Sequence, residues 1–259
     1  MKHIANGFTL LNLIFGGLAI IAVLQSGLTT TMDDNGLTYI ILPEKIYLAS
    51  VFIGCAAIID FLDGFVARLL KISSPMGMQL DSLADVVSFG VAPGMIVFQF
   101  LRLAYSKGEG GLDVNELALV PALLLPAFGA VRLARFNLDS SHSPYFKGVP
   151  IPAVGLLIAS FPLIYWHTQS VYVIQIFTNP IFWYASIAIL CFLMVSTTPM
   201  LSLKMKCFAI KKDWPLIALM LIAIISGILT EWLAVPIVFI AYLIFSLTTI
   251  KKKNLSESL

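Results

Sequence analysis

Four aspartates, Asp60, Asp63, Asp81 and Asp85, lie within or at the edge of segments that are otherwise apolar. A single carboxylate at the centre of a membrane helix costs about 2.5 to 3.5 kcal/mol on insertion scales, so four of them close together call for a counter-charge. Their spacing is helical. Asp60, Asp63, Gly64, Ala67 and Arg68 follow one another at i, i+3, i+4, i+7 and i+8, on one face of a helix, and Gly77, Asp81 and Asp85 recur every fourth residue on the next. The polar stretch from Lys71 to Met76, with Ser73, Ser74 and Pro75, breaks the two helices apart and turns the chain back on itself. In an antiparallel hairpin of this length Asp60 falls level with Asp85 and Asp63 with Asp81. Arg68 and Gly77 lie nearer the mouth, and at 1.5 Å rise per residue Asp60 sits about 12 Å deeper than Arg68. Carboxylates converging at two levels repel unless cations hold them, and hard oxygen donors suit Mg²⁺, Mn²⁺ or Ca²⁺, with Mg²⁺ also taking water and substrate phosphate.

The rest of the chain reads as the frame for that hairpin. Of 259 residues, 59% are hydrophobic and 12% charged, about half the charge of a soluble domain, which makes this an all-α integral membrane protein. Eight apolar segments approach the roughly 20 residues a span needs: 5–25, 46–69, 80–103, 116–136, 151–168, 180–198, 214–230 and 233–250. The first has no small-residue cleavage pattern and reads as a retained helix, and the last two, divided near Glu231 and Trp232, form a tight hairpin. With the N-terminus in the cytosol, all of the 16 Lys and Arg except Lys45, Arg102 and Lys107 fall inside, which sets both termini and the mouth of the aspartate hairpin on the cytosolic face. A net charge of +2 gives no footing for nucleic acid. Cys55, Cys191 and Cys207 are too scattered for a zinc site or a disulfide framework, and His3, His142 and His167 have no ligand spacing. Trp166, Trp183, Trp214 and Trp232, near span ends, read as interfacial residues, and Gly16 and Gly17 as a close helix contact.

The run Asp60, Asp63, Gly64, Ala67, Arg68, Gly77, Asp81, Asp85 matches, at every fixed position and spacing, the signature of the CDP-alcohol phosphotransferases, which the chain therefore resembles. The resemblance implies a six-helix membrane core over residues 1–198 containing the signature, with residues 199–259 adding a cytosolic loop, a two-helix hairpin and the basic tail Lys251 to Lys253. It further implies two divalent ions held by Asp60, Asp63, Asp81 and Asp85, with Asp85 also the base on the acceptor hydroxyl. The CDP-lipid would lie against Asp60, Gly64, Ala67, Arg68, Gly77 and Asp81; Gly64 and Ala67 leave room for cytidine and Arg68 meets a phosphate. A homodimer is implied as well.

Four more stretches resemble the phosphatidylserine synthase branch: Asn6 to Asn12 (NGFTLLN), Ser88 to Pro93 (SFGVAP), Arg132 to Asn137 (RLARFN) and Lys147 to Pro152 (KGVPIP). That branch implies CDP-diacylglycerol and L-serine as substrates, CMP as leaving group and the cytoplasmic membrane as location. Arg132, Arg135, Asn137 and Lys147 are the candidates for holding the acceptor; their other reading is positive-inside anchoring. The same core with glycerol 3-phosphate or inositol phosphate as acceptor is the alternative within the family, and a cation transporter is the alternative outside it, since buried acids also mark ion pathways. Against transport, the acids cluster near one face with no continuation to the other.

Overall fold

The computed structural model describes residues 2–32, 36, 38–70, 74–106, 113–139, 146–168, 170–201 and 210–257, and within these not the side chains of 2–5, 38, 67, 68, 70, 146, 210–213 and 249–257. Helix α1 (Lys2–Gln25) leads through a short hairpin, β1 (Thr29–Met32) paired antiparallel with β2 (Thr38–Ile41), into α2 (Tyr47–Leu70). The signature continues into α3 (Pro75–Asp85), which Ser74 caps by accepting from the Gly77 N–H at 3.0 Å, with Pro75 at the first helical position. A π-helical segment, Val86–Val91, joins α3 to α4 (Ala92–Ser106) without a break. Then follow α5 (Glu116–Leu119), a 3₁₀ turn and α6 (Leu124–Leu138), β3 (Phe146–Lys147), α7 (Ile151–His167), α8 (Val171–Phe177), α9 (Pro180–Val195), β4 (Pro199–Met200) paired with β3, α10 (Ile210–Thr230) and α11 (Ala234–Glu257).

All eight expected segments are helical, but their lengths differ from expectation. Five continuous helical stretches are long and apolar enough to cross a membrane, and α8 with α9, bent by 67° at Thr178 and Asn179, makes a sixth. The fifth stretch, Trp214–Thr248, is itself two helices: Glu231, at φ 49°, reverses the chain, and α10 and α11 pack along one another. Helix α7 is apolar but shorter, at 17 residues. The third segment is longer than expected because the π segment carries the backbone hydrogen bonding straight through the SFGVAP stretch, giving one stretch of 32 residues from Pro75 to Ser106.

That column is the most buried of the membrane-length stretches and the C-terminal pair the least. The wide π turn pushes Ser88 to Gly90 outward, and its neighbours make room with small residues. A Cβ on Gly16 of α1 would strike Ser88, and one on Gly155 of α7 would lie 2.9 Å from the Phe89 Cβ. Gly17, by contrast, has open space around it, so only one of the two adjacent glycines makes the expected close contact. Trp183 overturns its interfacial reading: it is fully buried, stacked 4.8 Å from Phe100 and edge-on to Phe161, and its indole N–H donates to the Phe177 carbonyl at 2.8 Å. Sequence position near a span end did not reveal that the α8–α9 bend folds this ring inward. Elsewhere large apolar side chains such as Ile14, Ile58, Phe61, Ile228 and Leu229 face outward, as suits a bilayer rather than water.

Candidate active site

Helices α2 and α3 both pack on α1 and scarcely touch each other, so the signature lines a cleft instead of a closed hairpin. Across that cleft Asp60 from α2 meets Asp81 and Asp85 from α3, with one carboxylate oxygen from each lying within 4.8 Å of the others. The level-by-level pairing expected from an ideal hairpin is thus replaced by a three-way cluster. Asp63 turns away from it and accepts from the Thr9 hydroxyl of α1 at 2.5 Å, while its charge still acts on Asp60 and Asp81. Gly64 is half-buried beside these carboxylates on α2, whereas the side chains of Ala67 and Arg68, the expected nucleotide and phosphate contacts, lie outside the described residues.

Helix α1 contributes more than the sequence revealed. Asn6, Thr9 and Asn12 form a polar stripe at three-residue intervals: Asn6 lies beside Gly77, Thr9 holds Asp63, and the Asn12 amide donates to Asp85 at 3.4 Å. The Asn12 carbonyl in turn accepts from Ser88 at 3.0 Å, which ties α1 to the π segment immediately after Asp85. Asn12 Oδ1 is buried without a partner. Three polar residues on one face of an otherwise apolar helix are the sequence signal for this role.

The site fits a divalent cation on its own chemistry. Three hard oxygen donors converge, and among the described residues no ion pair neutralises them; the one ion pair there, Lys147 with Asp139, lies elsewhere. Mutual repulsion at this distance is relieved by a bound cation.

The expected acceptor residues separate into two kinds. Arg135 donates to the Val195 carbonyl at the end of α9, at 3.1 Å, and Lys147 pairs with Asp139 at 2.9 Å on the surface. Both have structural partners. Asn137 donates to Ser82 at 2.9 Å, fastening the end of α6 to α3 beside Asp81. Arg132 differs: it is buried, its guanidinium lies 5.4 Å over the Phe136 ring, its Nε has no hydrogen-bond partner, and its charge acts on Asp85. The KGVPIP stretch shapes the same layer, with Gly148 at φ 72° under the carbonyls of Leu193, Met194 and Ser196, where a Cβ would not fit.

Comparison with known proteins agrees with this geometry. The chain is 43% identical over 113 residues to a CDP-diacylglycerol–serine O-phosphatidyltransferase of Helicobacter pylori, covering 43% of this chain and 44% of that protein. It is 42% identical over 123 residues to the protein of the same name in Bacillus subtilis, covering 47% of this chain and 64% of the relative. A third so named, from Mycobacterium bovis, matches at 31% over 237 residues, 85% of this chain and 76% of the relative. The matched stretch thus spans less than half of the Helicobacter protein's length and under two thirds of the Bacillus one. The family described as CDP-alcohol phosphatidyltransferase matches residues 2–197, which include every residue of the carboxylate cleft, and the chain belongs to that family.

Proposed function

We propose that this protein is a phosphatidylserine synthase, which transfers the phosphatidyl group of CDP-diacylglycerol to the hydroxyl of L-serine and releases CMP. The observation that carries the reading is the Asp60, Asp81 and Asp85 cluster, set in a cleft between α2 and α3 within a chain whose relatives bear that name. Asp60, Asp81 and Asp85 would hold a divalent metal, Mg²⁺ or Mn²⁺, with Asp63, released from Thr9, as the further ligand that a pair of ions would need, and the metal would offset the charge on the diphosphate and the departing CMP. The chain's own residues do the rest. Gly64, Ala67 and Gly77 leave space for the nucleotide, Arg68 contacts phosphate, and Asn12 and Thr9 fix the orientation of two of the aspartates. The serine oxygen forms a bond to the lipid-side phosphorus as the bond from that phosphorus to CMP breaks, and the hydroxyl proton passes to Asp85. Positioning and electrostatics supply most of the acceleration.

For the acceptor, Arg132 is the strongest candidate for the serine carboxylate, since it is the buried one of the three cations, its Nε has no hydrogen-bond partner and its charge acts on Asp85. Asn137, Arg135 and Lys147 act around it by holding the layer together. Residues 1–198 form the catalytic core and 199–259 the appended loop, hairpin and tail. The protein works as a homodimer in the cytoplasmic membrane, with both termini and the cleft facing the cytosol. The test is CMP release by purified protein given CDP-diacylglycerol, Mg²⁺ or Mn²⁺, and one acceptor at a time. Release that depends on serine supports the reading. Release with glycerol 3-phosphate or inositol phosphate instead would retain the chemistry and overturn the acceptor.

A further inference from the structure

Asn12 of α1 is only 1% exposed. Its backbone carbonyl accepts from the Ser88 hydroxyl at 3.0 Å, and its side-chain amide nitrogen donates to Asp85 Oδ1 at 3.4 Å. Among the described residues nothing donates to the amide oxygen, Oδ1. An ionised carboxylate only accepts, so the amide has to turn its nitrogen to Asp85, and the oxygen on the same carbon is left beside that carboxylate without a donor. Nor can the side chain be withdrawn together with its helix. Ser88 holds the backbone at Asn12, and one turn further on Gly16 lies so close to the same serine that a Cβ there would collide with it. A buried amide oxygen fixed in place without a partner is costly, and in a native site it is the mark of a bound water or ligand.

The position of this oxygen selects its ligand. Asn6 stands beside Gly77, near the mouth, whereas Asn12 is six residues further along α1, about 9 Å deeper at 1.5 Å rise per residue, and meets Asp85 instead of the contacts proposed for the nucleotide. We propose that Asn12 Oδ1 receives the ammonium group of the acceptor, so that Asn12 selects an amino alcohol over a polyol phosphate. The inference rests on the reading of serine as the acceptor. In that reading the hydroxyl proton passes to Asp85 and the carboxylate meets Arg132, which leaves the ammonium, with three donors, in need of a partner. An amide oxygen supplies one without adding negative charge to a cluster that already holds three carboxylates. An acceptor that lacks an amine leaves Oδ1 buried and unpaired, and a site built to hydrogen-bond a substrate group rejects the analogue without it.

The test compares serine with 3-hydroxypropanoate, which keeps the hydroxyl and the carboxylate and lacks only the amine, as kcat/KM for CMP release by the full-length protein in detergent. Asn12→Leu keeps the branched outline of the side chain without a polar atom, and Asn12→Ala adds no bulk should leucine disturb the fold. Both acceptors are measured on one preparation, so the ratio of their kcat/KM values does not depend on the fraction folded, nor on a looser Asp85, which slows both alike. The same preference is read without turnover as the rise in melting temperature that each acceptor gives with a non-reactive CDP-lipid analogue bound. Wild-type protein is expected to favour serine, and both variants to lower that preference by about tenfold or more, the scale of a charged hydrogen bond, with half-saturation by Mn²⁺ unchanged. A preference that survives in both variants overturns the proposal, and Oδ1 then holds water. A higher half-saturating Mn²⁺ concentration with the preference intact also overturns it and makes Asn12 a metal ligand. If wild-type protein releases CMP with glycerol 3-phosphate and not with serine, the proposed acceptor fails at that earlier step and takes this inference with it.

Discussion

At the scale of single residues, Asp85 is the best-connected carboxylate of the site: it touches Asn12, faces Asp60 and Asp81, and interacts with Arg132. Replacing it with asparagine preserves shape and removes the group proposed to accept the hydroxyl proton. Asp85→Asn should therefore bind a CDP-lipid analogue yet release CMP at a rate near background, and near-normal turnover would sink the base assignment. The signature aspartates were legible from spacing alone, because a carboxylate in an apolar run is costly and a cluster of them carries a reason. What the spacing did not reveal was the departure of Asp63 toward Thr9, since that depends on α1, a helix distant in sequence. Nor did it separate the three cations near the mouth. The structure does so through their partners, and this yields a second expectation: Arg132→Gln should raise the serine concentration for half-maximal rate by roughly tenfold or more, the scale of a charged hydrogen bond of about 1.5 to 3 kcal/mol. Arg135→Gln and Lys147→Gln, which lose bonds to Val195 and Asp139, should change that dependence far less. Equal effects at all three positions would refute the distinction.

At the scale of elements, the cleft depends on α1 acting as a wedge between α2 and α3. Its seat is Gly16, where even one added carbon would meet Ser88, including its backbone Cα at 2.8 Å. Overpacking at such a contact typically costs about 1 to 3 kcal/mol. Gly16→Leu should lower the melting temperature and CMP release together, whereas Gly17→Leu, with open space around it, should leave both near wild type; equal damage from the two would mean that the seat is not at Gly16. On the facing wall, Gly64→Leu should weaken binding of a CDP-lipid analogue without lowering the melting temperature, because leucine suits a membrane helix but fills the space assigned to the nucleotide; unchanged affinity would count against that pocket. Helix identities were readable from apolar length, but the π segment was not. The SFGVAP stretch that overlaps it carries glycine and proline signals that resemble a helix break, and only the packing partners Gly16, Gly155 and Pro126 show why the chain widens its turn and continues.

At the scale of the whole molecule, the proposed orientation of the cleft rests on the charges that flank the helices. Lys and Arg gather at the ends of α2, α6 and α11 and in the loops beside them, while Glu44, Asp113, Glu116 and Glu231 mark the opposite ends. By the positive-inside rule, retention of the basic segments on the cytosolic side would turn the cleft toward the cytosol, as proposed. A misjudged span would have reversed every later element. The risk was highest at α10 and α11, whose connection by a three-residue turn leaves no loop charge to read and whose reversal rests on Glu231 in a left-handed backbone conformation. Single cysteines placed in a version lacking Cys55, Cys191 and Cys207 test the arrangement directly. Asn254→Cys, after the basic run of α11, should resist a membrane-impermeant thiol reagent in intact cells and react once the membrane is opened. Glu116→Cys, at the start of α5, should react in intact cells. If the two labels exchange behaviour, the orientation is inverted and the cleft faces away from the cytosol. If both react from the same side, an even number of spans separates the two positions, and the hairpin of α10 and α11 is the first place where the count would have to change.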